Sequence, residues 1–261
     1  MDLLQRYKDF IQANNLFVEK DRLLLAVSGG VDSVVLCELC KQAGYDFVIA
    51  HCNFKLRDRE SERDKEFVKA LAKKYDVEFL VKDFETGRYA EENKLSIQEA
   101  ARNLRYDWFA ELIGNKQTAI DKGNSLDEGI NCQLPIANCV LTAHHADDSI
   151  ETLLMNFFRG TGLYGLSGIP IMSPYANVRR PLLGFWKEEL MEFASQNKLE
   201  FVEDSSNQSS KYTRNFSEMR SFHSSLKPIR RQKEICWIIS TGSKKLIRFT
   251  GFLSQNSKKS F

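Results

Sequence analysis

Leu23-Leu24-Leu25-Ala26-Val27-Ser28-Gly29-Gly30-Val31-Asp32-Ser33-Val34-Val35-Leu36 is the stretch on which the reading of the fold turns. Arg22 to Val27 is a short apolar run without alternation, the pattern of a parallel strand covered on both faces. It stops at a glycine pair, and helical spacing resumes from Val31 to Lys41. Strand, glycine turn and helix in that order are what an anion site needs. Glycines let the backbone turn tightly and come close to a ligand, while the N–H groups and dipole of the helix start attract negative charge. Ser28 and Ser33 can donate further hydrogen bonds. No Gly-Lys-Ser/Thr ending follows, so a Walker loop and transfer of a γ-phosphate are disfavoured.

Outward from this loop the chain alternates. An amphipathic helix over 3–13 precedes it, and Phe47–Ala50 gives a second strand. Glu60–Tyr75 reads as a charged helix, Val77–Val81 as a third strand and Ser96–Ile113 as a helix. A polar run from Asn115 to Asn138 reads as an inserted surface loop before the strand Cys139–Thr142, and Asp147–Phe158 is helical again. Such alternation predicts an α/β fold, a doubly wound parallel sheet with ligands at the carboxyl ends of its strands.

Bulk properties narrow the classes. Hydrophobic residues make up 43% of the 261, enough for a buried core. No apolar run of about 18 residues and no leader-like N-terminus are seen, so no membrane partner and a cytoplasmic location are expected. Six scattered cysteines read as reduced thiols, and Cys37-x-x-Cys40, inside an apolar helical segment, reads as core. The net charge of +2 is unevenly spread. Residues 216–261 hold ten Lys/Arg against two Asp/Glu, while residues 1–215 hold 27 against 33. The basic total is therefore no argument for nucleic acid.

A second constellation is Thr142-Ala143-His144-His145-Ala146-Asp147-Asp148-Ser149-Ile150-Glu151. Asp148 and Glu151 are three apart and His144 precedes Asp148 by four, so a helix beginning near His144 puts all three on one face. An acidic pair there suits magnesium or the ammonium of an amine, and it equally suits a helix start carrying favourable acids.

Ser28-Gly29-Gly30-Val31-Asp32-Ser33 resembles the signature of the PP-loop, or N-type, ATP-pyrophosphatases, a fold of the adenine nucleotide alpha hydrolase type. The resemblance implies that Ser28, Gly29, Gly30, Val31, Asp32 and Ser33 hold the pyrophosphate of ATP, with Asp32 helping to bind Mg2+. Over roughly residues 1–215 the chain is also similar to the bacterial tRNA(Ile)-lysidine synthetases. The similarity is carried by Ala50-His51-Cys52-Asn53 with Arg57, Gln98-Glu99-Ala100-Ala101-Arg102, Arg105-Tyr106, Arg159-Gly160-Thr161-Gly162 with Gly165-Leu166-Ser167-Gly168-Ile169, Arg180-Pro181-Leu182-Leu183, Glu203-Asp204-Ser205-Ser206-Asn207 and Tyr212-Thr213-Arg214-Asn215.

That resemblance implies a ligase that adenylates the wobble cytidine of an isoleucine tRNA with a CAU anticodon and then joins free L-lysine to C2, with a homodimer left open. It places Arg105 and Arg214 near the transferred phosphate or the base, and Asp148 and Glu151 on the incoming lysine with His144 nearby. Two rivals remain, a tRNA thiolase of the same superfamily and a non-catalytic nucleotide-binding remnant.

After Asn215 the pattern departs. Writing Ser217–His223 as TCA GAA ATG AGG TCA TTC CAT and reading two bases later gives R-N-E-V-I-P, the continuation the family leads one to expect. A reading-frame shift near residue 216 is therefore expected. On that reading 216–261 is an aberrant basic tail, the usual C-terminal tRNA-binding domains are absent, and activity on tRNA is impaired.

Overall fold

The computed structural model describes residues 2–114, 135–161 and 167–203. They fall in two compact units, residues 2–114 and 135–145 with 172–203, and residues 146–161 with 167–171. In the first unit, α1 (Leu3–Ala13) leads into β1 (Leu23–Ala26), followed by α2 (Val31–Ala43), β2 (Phe47–Asn53), α3 (Asp58–Tyr75), β3 (Phe79–Asp83), α4 (Thr86–Asn93), α5 (Ile97–Leu112) and β4 (Cys139–Leu141). After the other unit's α6 (Ala146–Phe158), the first resumes with β5 (Met172–Ser173), a 3-10 turn at Tyr175–Asn177, β6 (Val178–Arg179) and α7 (Lys187–Gln196).

Leucines dictate the centre. Leu23, Leu24 and Leu25 are each fully buried because β1 pairs in parallel on both sides, Leu24 facing Val48 of β2 and Val140 of β4. Side chains alternate across a strand. Leu24, Val48, Ala50 and Val140 therefore share one face, packed with Tyr106, Trp108 and Phe109 of α5. Leu23 and Leu25 turn to the opposite face, where α2 runs against β1 and is itself flanked by α1 and α7. Both faces are covered, which is why the strand carries no polar residue.

The strand order is β3-β2-β1-β4-β6-β5. It reverses between β1 and β4, since the chain first steps from β1 to β2 and β3 and then returns to the far side of β1. The sheet is the doubly wound, mostly parallel one expected, with β5 pairing antiparallel with β6 at one edge. One strand boundary is corrected. The third strand starts at Phe79, not Val77, because the Val77 N–H still caps α3 by donating to the Ala72 carbonyl, with Asp76 in the left-handed region at φ 55°. Helices α4 and α7 and strands β5 and β6 went unread in the sequence.

Of the expected loop over 115–138, residues 115–134 lie outside the described residues. Ile136 N–H donates to the Leu112 carbonyl, Ala137 is 4% exposed, and Asn138 exchanges hydrogen bonds with Arg22 of 2.7 and 2.8 Å. The last residues before β4 are thus tied to the body, with Ala137 buried and Asn138 exposed. α5 begins on a capping box, in which Ser96 Oγ accepts from Glu99 N–H and Glu99 accepts from Ser96 N–H. Among the described residues no helix is long and apolar enough to cross a membrane.

The turn that delivers α7 is tight. A Cβ added at Gly184 would lie 2.5 Å from Phe10 Cε2, in a ring that packs edge-on against Phe185. Gly184→Ala is therefore expected to cost about 1–3 kcal/mol, as overpacking does. The check is the urea midpoint of unfolding, and an unchanged midpoint would show that Phe10 swings aside freely.

Candidate functional site

In an α/β sheet a ligand crevice opens at the carboxyl ends of the strands where the order reverses. Here that place lies beyond Ala26 of β1 and Leu141 of β4, and the two segments that follow are Val27–Ser33 and Thr142–His145. Both belong to the first unit.

The glycine loop is held from three directions. Val27 N–H donates to the Ala50 carbonyl, and the Val27 carbonyl is met at 2.8 Å by Nδ1 of His51, which is 5% exposed. Burial pulls the His51 pKa below its ordinary value, opposed by its hydrogen bond to Val27. The Gly29 carbonyl accepts from Val202 N–H at 2.9 Å. Gly29 itself sits at φ 98°, where a Cβ would meet Phe67, Val68 and Val202 at ordinary contact distances of 3.4–3.6 Å, so the backbone angle is what calls for glycine. Only glycine takes that turn without strain.

The two serines shape the loop from within. Ser33 Oγ donates to the Gly30 carbonyl at 2.8 Å and accepts from Gly29 N–H at 3.2 Å, while Ser28 Oγ accepts from Gly30 N–H at 3.3 Å. Both serines help to build the loop, and their Oγ atoms lie 3.4 Å apart. What remains for an anion is the start of α2, whose N-cap Gly30 supplies no side-chain cap. The first-turn N–H groups of Val31, Asp32 and Ser33 have no intrahelical acceptor by geometry and lie on the positive end of the helix dipole.

Asp32 carries the strongest contact of the site. Lys187 Nζ, at the first position of α7, lies 2.6 and 2.7 Å from its two carboxylate oxygens, and His145 Nε2 lies 3.8 Å from one of them. Sequence reading named Asp32 and quoted His145 without a role, and it did not find Lys187, which is 155 residues away. One signal was present. A lysine at a helix N-terminus opposes the helix dipole, so a partner for it was worth seeking.

Around His144 the charge is positive. Nδ1 of His144 shares a hydrogen bond of 3.0 Å with the Thr142 hydroxyl. Burial first, then Arg180, Arg105, His145 and Arg102, bring its pKa down to about 4. Arg180 is 5% exposed and hydrogen-bonds Tyr106. Arg105 lies 5.2 Å over the Phe54 ring and Arg102 5.1 Å over the Tyr106 ring. Arg105 also hydrogen-bonds the Cys52 sulfur, whose pKa burial nevertheless pushes up to about 12. Of these arginines only Arg105 was named from sequence as a site residue.

The remaining expected residues are placed as follows. α6 begins at Ala146, so His144 precedes the helix by two residues and the expectation of one helix starting near His144 that carries His144, Asp148 and Glu151 on one face does not apply as stated. Thr142 N–H still pairs with the Arg179 carbonyl, which prolongs the β4 ladder and delays the helix. Asp148 stands in the first turn of α6, and Glu151 lies one turn further along that helix of the second unit. Arg214, residues 204–207 and 212–215 of the expected motifs, Gly162, Gly165 and Leu166, and the basic tail 216–261 lie outside the described residues. Cys37 and Cys40 are fully buried with their thiol pKa values raised, first by burial, in keeping with a core role.

The donor set fits a triphosphate: uncapped backbone amides, a lysine and a cluster of guanidinium groups. For a divalent cation it offers less. No group of three or more His, Cys, Asp and Glu side chains suited to a metal exists among the described residues. Magnesium is commonly held by one or two carboxylates with phosphate oxygens making up the rest, and Asp32 fits that mode.

A family model described as the PP-loop domain matches residues 2–121 and 130–221. The tRNA(Ile)-lysidine synthase of Bacteroides thetaiotaomicron is 42% identical over 211 residues, which are 81% of this chain and 45% of that protein. The tRNA(Ile)-lysidine synthase of Thermosipho africanus is 40% identical over 220 residues, 83% of this chain and 46% of that protein. The chain thus spans less than half the length of these curated relatives. Among solved structures, the U34-tRNA thiolase NcsA of Methanococcus maripaludis, with its 4Fe–4S cluster, aligns at a TM-score of 0.64 and 15% identity. The alignment covers 94% of this chain and 78% of that one, and it speaks to the fold alone.

His144 yields a test by pH. Its imidazole stays neutral in the folded chain down to about pH 4, whereas the unfolded chain takes up that proton below about 6.5, so stability falls as pH drops through this window. His144→Asn is expected to remove that contribution, making the variant's stability curve flatter than wild type between pH 6.5 and 4, by up to about 1.4 kcal/mol per pH unit. Parallel curves in urea titrations across that range would contradict it.

Proposed function

The chain belongs to the PP-loop family, and from that premise we propose that it spends ATP to ligate lysine to C2 of the wobble cytidine of isoleucine tRNA. The observation that carries the ATP half is the uncapped start of α2, set behind a glycine at φ 98° where the sheet order reverses. Identities of 40 and 42% to proteins called tRNA(Ile)-lysidine synthase support the choice of base and of amine. A match ending at residue 221 supports a catalytic domain that closes near residue 215.

The chemistry follows from leaving groups. An amide-like oxygen does not depart from C2 of cytidine. The C2 oxygen first attacks the α-phosphate of ATP and expels pyrophosphate, which makes that oxygen part of an AMP leaving group. The ε-amine of lysine then attacks C2, the C–O bond to AMP breaks, and the amine's proton goes to solvent or a nearby base. Amides at Val31, Asp32 and Ser33 bind the departing pyrophosphate, and preorganised donors of this kind are the main source of catalysis in phosphoryl chemistry.

Arg105, with Arg214, stabilises charge at the α-phosphate or orients the base. His144, neutral at ordinary pH, serves as a hydrogen-bonding group rather than a cation. Asp148 and Glu151 receive the ammonium end of lysine, one helical turn apart on α6. Asp32 is the carboxylate that would hold magnesium, which when bound supplies charge neutralisation to the triphosphate.

The test is lysine-dependent release of AMP in the presence of ATP, magnesium and isoleucine tRNA with a CAU anticodon. Asp148→Asn and Glu151→Gln are each expected to raise KM for lysine about tenfold to a hundredfold, the size of a lost charged hydrogen bond, while leaving ATP affinity unchanged. Release that ignores lysine and follows sulfide would replace this reading with a thiolase.

A further inference from the structure

The contact between Lys187 and Asp32 joins two helix starts. Asp32 sits in the first turn of α2, where a carboxylate is favoured, and Lys187 sits at the first position of α7, where a cation is disfavoured. The acids of that same turn, Glu188 and Glu189, are the expected residues there. Glu189 is already engaged, accepting from Trp186 N–H at 2.8 Å and pairing with Arg6. The lysine is therefore placed against its local preference, and both oxygens of Asp32 receive it.

The pair is also half open to water, with side-chain exposures of 37% for Lys187 and 29% for Asp32. Ion pairs with that much solvent are screened and open at little cost. A lysine adds a flexible four-carbon stem and a compact charge with three donors, which turn readily between acceptors.

We propose that Lys187 is the exchangeable counter-ion of the phosphate loop. Before nucleotide arrives it neutralises Asp32, which otherwise sets a bare carboxylate beside the amides that must accept an anion. When a triphosphate enters with its divalent cation, that cation takes over the Asp32 carboxylate and the Lys187 ammonium turns to a phosphate oxygen. Charge at the loop stays balanced in both states, and no carboxylate faces the phosphates unpaired. This rests on the reading of the loop as an ATP site and deepens it by naming a positioning cation supplied from α7. No covalent bond changes in the exchange.

The experiment is a calorimetric titration of ATP, with EDTA or with saturating magnesium, into wild type, Lys187→Met, Lys187→Arg, Asp32→Asn and the Asp32→Asn/Lys187→Met double variant. With magnesium, Lys187→Met is expected to weaken ATP about tenfold to a hundredfold, the range for a hydrogen bond to a charged group, and Lys187→Arg to keep most of the affinity. The same loss must persist in the Asp32→Asn background, because the lysine then still meets phosphate. In EDTA, Asp32→Asn should bind ATP more tightly than wild type, its lysine having been released.

If the loss on removing Lys187 vanishes once Asp32 is Asn, the lysine only balances Asp32 and the exchange is wrong. A wild-type chain with no ATP affinity at all overturns the nucleotide reading itself, a different outcome. Thermal unfolding of every variant reports folding, and Lys187→Gln replaces Lys187→Met should the latter fail to fold.

Discussion

Parallel pairing of β1 between β2 and β4 is the constraint from which the rest of the first unit follows. A strand bonded on both sides and covered on both faces must be apolar at every position, and Leu23, Leu24 and Leu25 meet that demand with no exposed surface. Parallel neighbours cannot be joined by tight turns, so each link crosses over a face through a helix. Because the chain goes first to one side of β1 and then to the other, the two crossings diverge at its carboxyl end. That divergence is the crevice into which the glycine loop and the Thr142–His145 segment open.

Within this frame the loop is more self-sufficient than a bare phosphate cradle. Ser28 and Ser33 close hydrogen bonds within it, and His51 and Val202 fix its carbonyls from β2 and from the residues after α7. Rigidity of this kind leaves only the first-turn amides of α2 for a ligand and holds them aimed in advance, which is the condition for electrostatic preorganisation. The charged residues follow the same logic. Asp32 is balanced by Lys187, while burial first, and then the arginines near it, lower the His144 pKa and keep the ring neutral.

Likeness to a tRNA thiolase at 15% identity places the chain among proteins of one fold and decides nothing about the nucleophile. The cysteines bear on that question directly. Cys37 and Cys40 are buried in α2, with Cys40 in contact with the Tyr7 hydroxyl at 3.3 Å, and burial raises both thiols. Thiols so placed carry little thiolate, the form that sulfur transfer requires.

Much of this was readable in the primary chain, and the reason is local. Phosphate loops need a strand, glycines and a helix start within a dozen residues, so Leu23–Leu36 announces both the fold and the candidate anion site. The main strands were found because burial on both faces forbids polar residues, whereas β5 and β6, two residues each, are too short to leave a period. Tertiary structure alone decided which charges meet. Lys187 reaches Asp32 because α7 packs on α2, Arg180 and Arg105 bear on His144 from just after β6 and from α5, and Val202 caps Gly29 from the end of the unit. Coulomb energy depends on distance in space, and separations of tens of residues or more leave no trace of that distance in the order of the amino acids.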